Sequence, residues 1–312
     1  MSLPFVRYLE NQGGPIRFLP YLGRRIKRVV PAYWFQIIIL STVLFFIAAT
    51  PSWKIIVLHS LFLQNFDITI AAHFNGVYWT LPTEFGFYLL LPLFAAFAIF
   101  FSRHKRTAWI ILSLSLIIFA IAYRTIAYAT VSEETIDKKF FTLLQLPGLI
   151  DHFAIGMLLA WVYVRNRHLA SSMQADSLLL VGLLGIISMM ALIDHEYLRY
   201  WNGHILIFVG YTITAYFIGL LVLGTALAGP VSKAFFANPF MLTIGVISYS
   251  LYLWHLPIQK WTLKLLDYWS ISGDRLWWLA AISIPLSILT AIFSYYYIER
   301  PFLRSGRSGV TQ

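Results

Sequence analysis

Twenty consecutive residues, Pro82 to Phe101, hold a single formally charged side chain, Glu84. At about 1.5 Å of rise per residue, a helix of that length crosses a hydrocarbon core of about 30 Å. The run predicts a membrane-spanning helix with a carboxylate inside it. A charge at that depth costs about 3 kcal/mol or more unless it is paired or hydrated, so its default reading is a functional site with a partner. Tyr88 lies four residues on and shares the helix face. Trp79 and Thr80 precede Pro82, which suits the first turn of a helix. The competing reading puts Glu84 near the helix start, favoured by the dipole and wetted by the interface.

The rest of the chain follows the same pattern. Hydrophobic residues make up 59% of the 312 and charged residues 12%, against about 25% charged in a soluble domain. Mean hydropathy is +0.74. The apolar runs are continuous rather than alternating, which argues for helices and against a barrel. The expected fold is all-α, a polytopic transmembrane bundle of about eight spans: 31–49, 77–101, 108–129, 140–164, 176–193, 203–228, 241–263 and 276–298. Between the first two, 53–65 is apolar but too short to cross, and reads as an interfacial or re-entrant segment. Polar loops are expected at 131–139 and 194–202, and a turn region between Gly229-Pro230 and Asn238-Pro239. Residues 1–9 are too short and poorly flanked for a secretory signal. No repeat or linker divides the chain, so 1–304 is read as one membrane domain and 305–312, rich in Ser and Gly, as a disordered tail.

Eight spans put both termini on one side. The segments on that side carry 15 Lys and Arg against 7 on the other, with Arg124 inside a span. That excess places the termini in the cytoplasm, with the cell (inner) membrane the expected location. The net charge of +10 therefore reports topology and anionic partners rather than nucleic acid. Cysteine is absent, which excludes disulfides, thiolate metal sites and Cys nucleophiles. No metal-ligand, P-loop, GxSxG or GxGxxG context is present, and no bound cofactor or metal is expected.

The intramembrane ionisable residues are Glu84, Arg124, Asp151, His152 and His255. Arg124 lies six residues from the end of its predicted span and is read as snorkelling outward. Asp151 and His152 could form a relay, but neighbours on a helix point about 100° apart, so poor mutual pairing is expected. His255 falls near the outer end of its predicted span and is either interfacial or part of a site. His73 reads as a wet surface residue. Four cations lie in the five residues Arg24-Arg25-Ile26-Lys27-Arg28, directly ahead of an apolar run edged by Tyr33 and Trp34. They serve as a cytoplasmic anchor. Arg25 and Arg28, three apart, also share a face suited to phosphate.

Four segments together resemble the acyltransferase 3 family of integral membrane acyltransferases. They are Arg24-Arg25-Ile26-Lys27-Arg28-Val29-Val30-Pro31-Ala32-Tyr33-Trp34; Trp79-Thr80-Leu81-Pro82-Thr83-Glu84 with Phe87, Tyr88 and Pro92; Ile247-Ser248-Tyr249-Ser250-Leu251-Tyr252-Leu253-Trp254-His255; and Glu299-Arg300-Pro301. The similarity spans about 17 to 304. It implies transfer of an acyl group, commonly acetyl from acetyl-CoA, to a hydroxyl of a sugar, a cell-surface or lipid-linked glycan, or a similar acceptor. It further implies acyl-CoA as donor substrate, a carbohydrate or lipid-linked glycan as partner, and membrane lipids around the bundle. On that likeness Arg25 and Arg28 hold the CoA phosphates. Glu84 and Tyr88 form the catalytic set, Glu84 orienting the base or the acceptor hydroxyl, while Trp79 and His255 belong to the substrate site. The family's first helix of about ten carries a His preceded by an Arg. Ser2-Leu3-Pro4 resembles the exit of the second helix, so those two residues are not expected in this sequence. Two other classes compete: a catalytically inactive or non-enzymatic membrane subunit that handles a glycan or lipid, and a transporter using Glu84 and Asp151. A scaffold has no need of a buried carboxylate, and no symmetry of half-helices supports a transporter.

Overall fold

The computed structural model describes residues 1–14, 17–47, 49–100, 104–131, 136–168, 171–227, 229–270 and 274–304. Every regular element among them is helical, and eight segments are long and apolar enough to cross a membrane. The protein is an all-α, polytopic integral membrane protein. The expected tail, 305–312, and part of the 131–139 loop lie outside the described residues.

Helix α1 (Leu3–Leu9) carries Pro4 in its first turn, where a missing N–H leaves nothing unbonded. Helix α2 (Phe18–Phe46) begins thirteen residues before the predicted start at 31, and the basic cluster forms a turn of the helix rather than a flank. Pro31 removes one ladder bond without ending the helix, and the long basic side chains are good helix formers. Helix α3 (Trp53–Ser60), a 3₁₀ turn (Gln64–Phe66) and α4 (Ile68–Ala71) form the short connector. Asp67 caps α4, and hydrogen bonds from the Thr69 hydroxyl and N–H hold its carboxyl below the ordinary value.

Helices α5 (Thr80–Phe100) and α6 (Lys105–Thr130) match the predicted second and third spans. The predicted fourth span, 140–164, is broken into α7 (Ile136–Leu143) and α8 (Leu146–Asn166). Pro147 cannot donate to the carbonyl four residues back, so the chain restarts as a new helix from an extended Gln145. Helix α7 also takes part of the expected 131–139 loop. Helix α9 (Ser172–His195) starts from a capping box of Ser171 and Gln174. The other two expected irregular regions contain α10 (Tyr197–Tyr200) and α12 (Pro230–Phe236), on either side of α11 (Ile205–Leu227). Helix α13 (Pro239–Tyr268), α14 (Arg275–Ser294), a π turn (Tyr295–Glu299) and α15 (Arg300–Arg304) complete the chain.

The helices pack as two compact units, Met1–Arg17 with Thr83–Met241, and Phe18–Pro82 with Leu242–Gln312. In the first, α9 and α11 meet at glycines. A Cβ on Gly182 would fall 2.5 Å from the Leu221 nitrogen, and one on Gly224 would fall 2.5 Å from the Leu179 nitrogen. Small residues are what let two backbones approach in a membrane, where lipid and side chain are equally apolar.

In the second unit a helix-interior proline dictates a polar core. Pro257 has no N–H for the carbonyl of Leu253. That carbonyl instead accepts from Gln36 Nε2 and from Asn75 Nδ2, each at 2.8 Å. Gln36 Oε1 in turn accepts from Tyr78 at 2.7 Å. Gln64 Nε2 donates to the Tyr33 hydroxyl at 3.3 Å and to the Tyr78 carbonyl at 3.1 Å. The Tyr33 hydroxyl donates to the His59 carbonyl at 3.0 Å. Burial pushes the His59 imidazole below its ordinary value. Gln36→Leu should cost about 1–3 kcal/mol, because it removes one donor from the Leu253 carbonyl and strips the buried Tyr78 hydroxyl of its acceptor. Thermal unfolding in detergent checks this, and an unchanged midpoint would remove the network from the account of stability.

Candidate active site

Glu84 enters one turn into α5, and the Tyr88 hydroxyl donates to Glu84 Oε1 across the i, i+4 spacing. Tyr88 is buried and Glu84 half-buried. The start of α5 is tied down from outside the helix. Asn65 donates to the Trp79 carbonyl at 2.6 Å and Tyr252 donates to the Val77 carbonyl at 2.7 Å, while the Tyr252 and Thr80 hydroxyls bond to each other.

The other expected site residues lie in the second unit among different neighbours. Arg25 stacks over Tyr21 with its guanidinium carbon 5.6 Å from the ring centre. Arg28 is exposed and lies one turn along. The π turn swings Glu299 inward, where it accepts from the Ser250 hydroxyl, itself 2.9 Å from Ser294. Glu299 is thus a buried carboxylate with hydroxyl partners. The sequence reading used it only as part of a motif, since a local five-residue turn has no periodic signature. His255 does not sit near the end of its helix, because α13 continues to Tyr268. Its Nδ1 lies 2.7 Å from the Tyr252 carbonyl, and it lines a cavity of about 410 Å³ with Ser248, Tyr252, Gln259, Ser283 and Ser287. His73 is exposed, as expected.

Two expectations in the first unit are overturned. Arg124 does not snorkel; it is fully buried. Its guanidinium donates to Asp151 Oδ2 at 2.9 Å, to Thr212 at 2.7 Å, to the Phe208 carbonyl at 2.8 Å and to the Gly148 carbonyl. Two helices offer it acceptors, which an outward-pointing side chain would leave unused. Asp151 and His152 also pair well. Asp151 Oδ1 accepts from the His152 backbone N–H at 2.9 Å and lies 2.8 Å from His152 Nδ1. The 100° separation applies to Cβ directions, and the two rotamers lean toward each other across it.

Each of these groups lies near one end of its own helix. Glu84 is about 6 Å from the start of α5, His152 about 9 Å from the start of α8, Thr212 about 10 Å from the start of α11, and Arg124 about 9 Å from the end of α6. Because successive spans alternate in direction, all four of those helix ends face the same side. A carboxylate bonded by a phenol, and an imidazole bonded by a second carboxylate, can orient hydroxyl groups and move protons.

The family model described as an acyltransferase domain matches residues 12–297. The O-acetyltransferase OatA of Staphylococcus aureus (strain NCTC 8325 / PS 47) is 26% identical over 98% of this chain and 50% of its own length. The peptidoglycan O-acetyltransferase OatA of Listeria monocytogenes serovar 1/2a (strain ATCC BAA-679 / EGD-e) is 27% identical over 73% of this chain and 35% of its own. The chain thus spans about half the length of the Staphylococcus relative, and less of the Listeria one. No solved structure matches it significantly.

Proposed function

This chain belongs to the acyltransferase 3 family, and on that premise we propose that it is a membrane-bound O-acyltransferase. It moves an acyl group, acetyl first among the candidates, from acyl-CoA to a hydroxyl of a sugar or cell-surface glycan. The acceptor oxygen attacks the thioester carbonyl, a C–O bond forms, the C–S bond breaks, and CoA leaves as the thiol once it takes up the acceptor's proton. The observation that carries this reading is that an acyltransferase model spans the very helices that hold Glu84 against Tyr88. The relatives' printed names, O-acetyltransferase and peptidoglycan O-acetyltransferase, support acetyl and a glycan. The hydroxyl and amide groups around His255 support a sugar-like acceptor.

In this reading Glu84 orients the attacking hydroxyl or its base, Tyr88 fixes the Glu84 carboxylate, and Trp79 and His255 contribute to the acceptor site. Arg25 and Arg28 hold CoA phosphates on the cytoplasmic side of the cell membrane, where both termini lie by the excess of cations.

The test is incorporation of labelled acetyl from acetyl-CoA into a glycan by the purified protein in nanodiscs. Label in an O-ester of the acceptor is expected; a wild-type protein that moves none refutes the reading. Arg25→Ala should weaken acetyl-CoA binding about tenfold, the worth of one charge-assisted hydrogen bond, and should flatten its salt dependence. Unchanged affinity would remove Arg25 from the donor site.

A further inference from the structure

Two spans of the second unit line the cavity at His255, whose volume of about 410 Å³ falls within the about 300–1,000 Å³ typical of ligand sites. Tyr252, His255 and Gln259 follow one stripe of α13 at spacings of three and four, about 10 Å along the helix axis. Ser283 and Ser287 line it from α14, one turn apart. These two serines are 2% and 4% exposed. A hydroxyl inside a span commonly settles on the carbonyl one turn back, as Thr290 does on Leu286 in the same helix at 2.8 Å and Thr262 on Ile258 in α13 at 2.9 Å. The Ser283 and Ser287 hydroxyls and the Gln259 amide have no hydrogen-bond partner among the described residues. A buried hydroxyl left unbonded is costly, so two on one wall call for an occupant that bonds to them.

The α13 wall is set in advance. His255 Nδ1 lies 2.7 Å from the Tyr252 carbonyl. A carbonyl only accepts, so the hydrogen sits on Nδ1 and the lone pair on Nε2. The same turn is held from outside the helix, because the Leu253 carbonyl accepts from Gln36 and Asn75 and the Tyr252 hydroxyl donates to the Val77 carbonyl. The cavity thus offers hydroxyls and an amide, which donate and accept, and an imidazole nitrogen that only accepts. Among the described residues, no Asp, Glu, Lys or Arg lines it.

We propose that this cavity binds an uncharged sugar residue and that Ser283, Ser287 and Gln259 select it. The ring hydroxyls bond to the two serines and the amide, His255 Nε2 accepts from one of them, and the C–H face of the ring lies on Ile284 and Ile288. A carboxylated or phosphorylated sugar is rejected, because its ionised group would enter a membrane span without a countercharge. That the sugar is the acyl acceptor rests on the acyltransferase reading above; that a neutral sugar binds and a charged one does not is independent of it.

The full chain in nanodiscs is measured for binding to an array of neutral mono- and disaccharides and their uronic-acid and sugar-phosphate counterparts, and for transfer of labelled acetyl from acetyl-CoA to the same sugars. At least one neutral sugar should bind at least about tenfold more tightly than its charged counterparts. Ser283→Ala combined with Ser287→Ala should weaken that sugar about tenfold, the worth of two neutral hydrogen bonds, with no fall in the unfolding midpoint, because the hydroxyls hold nothing in the protein. Gln259→Lys should strengthen binding of the uronic acid at least about tenfold, a switch of preference that a merely structural role would not produce. An array on which nothing binds, or on which neutral and charged sugars bind alike, would overturn the proposal, as would variants that bind as wild type does. If such a protein still transfers acetyl, the acyltransferase reading stands without this cavity. Neutral sugars bound by a protein that transfers no acetyl would overturn that reading and leave the sugar site.

Discussion

Arg124→Leu is expected to destabilise the protein by about 3–5 kcal/mol, the cost of leaving one partner of a buried ion pair behind. Both side chains of the pair are fully shielded. Removing the guanidinium strands the Asp151 carboxylate and takes a donor from the Phe208 and Gly148 carbonyls at once. Those losses fall on three helices, α6, α8 and α11, so the unfolding midpoint in detergent should drop for the first unit as a whole. Arg124→Leu combined with Asp151→Leu should cost less than the two single changes summed, because the double variant buries no lone charge. A midpoint unchanged in Arg124→Leu would mean the pair does not exist as described.

Glu84→Gln should reduce acyl transfer by at least about a hundredfold, the lower end of what a positioned acid–base group contributes. The amide has the carboxylate's shape, and its oxygen still accepts from Tyr88, so folding should persist. What disappears is the charge. In a site of low dielectric that charge acts far more strongly than in water on a neighbouring hydroxyl or imidazole. Unchanged transfer in the variant would reduce Glu84 to a helix-start residue wetted by the interface, the competing reading of its sequence position. A rise in KM with kcat preserved would point instead to ground-state contact with the acceptor.

The two predictions differ in how far the sequence reached. The Glu84–Tyr88 bond was expressed in the chain itself, because i and i+4 on a helix are neighbours whatever the rest of the fold does. The spans were equally local. In hydrocarbon every backbone group must be satisfied within its own helix, so an apolar run of sufficient length specifies its own structure. The exceptions were also local in cause but ambiguous in outcome: Pro31 was absorbed into α2, whereas Pro147 divided a predicted span, and composition alone did not rank the two.

The partners of the buried polar groups were decided by tertiary structure. Arg124 meets Asp151 across 27 residues and Phe208 across 84, and Gln36 meets Leu253 across 217. A side chain's hydropathy says that burial requires a partner, but not which helix supplies it. Arg124 could have reached water, as its position near a span end suggested, until the carbonyls and carboxylate of two other helices offered more acceptors than the interface. Asp151 and His152 are adjacent in sequence, yet the carboxylate they share a bond through is held on its far side by Arg124 and Thr212, from two other helices. What the sequence determined by itself was the set of membrane helices and the one bond that helical spacing enforces. What only the tertiary structure decided was where each buried charge found its counterpart, because that choice is made between helices rather than along them.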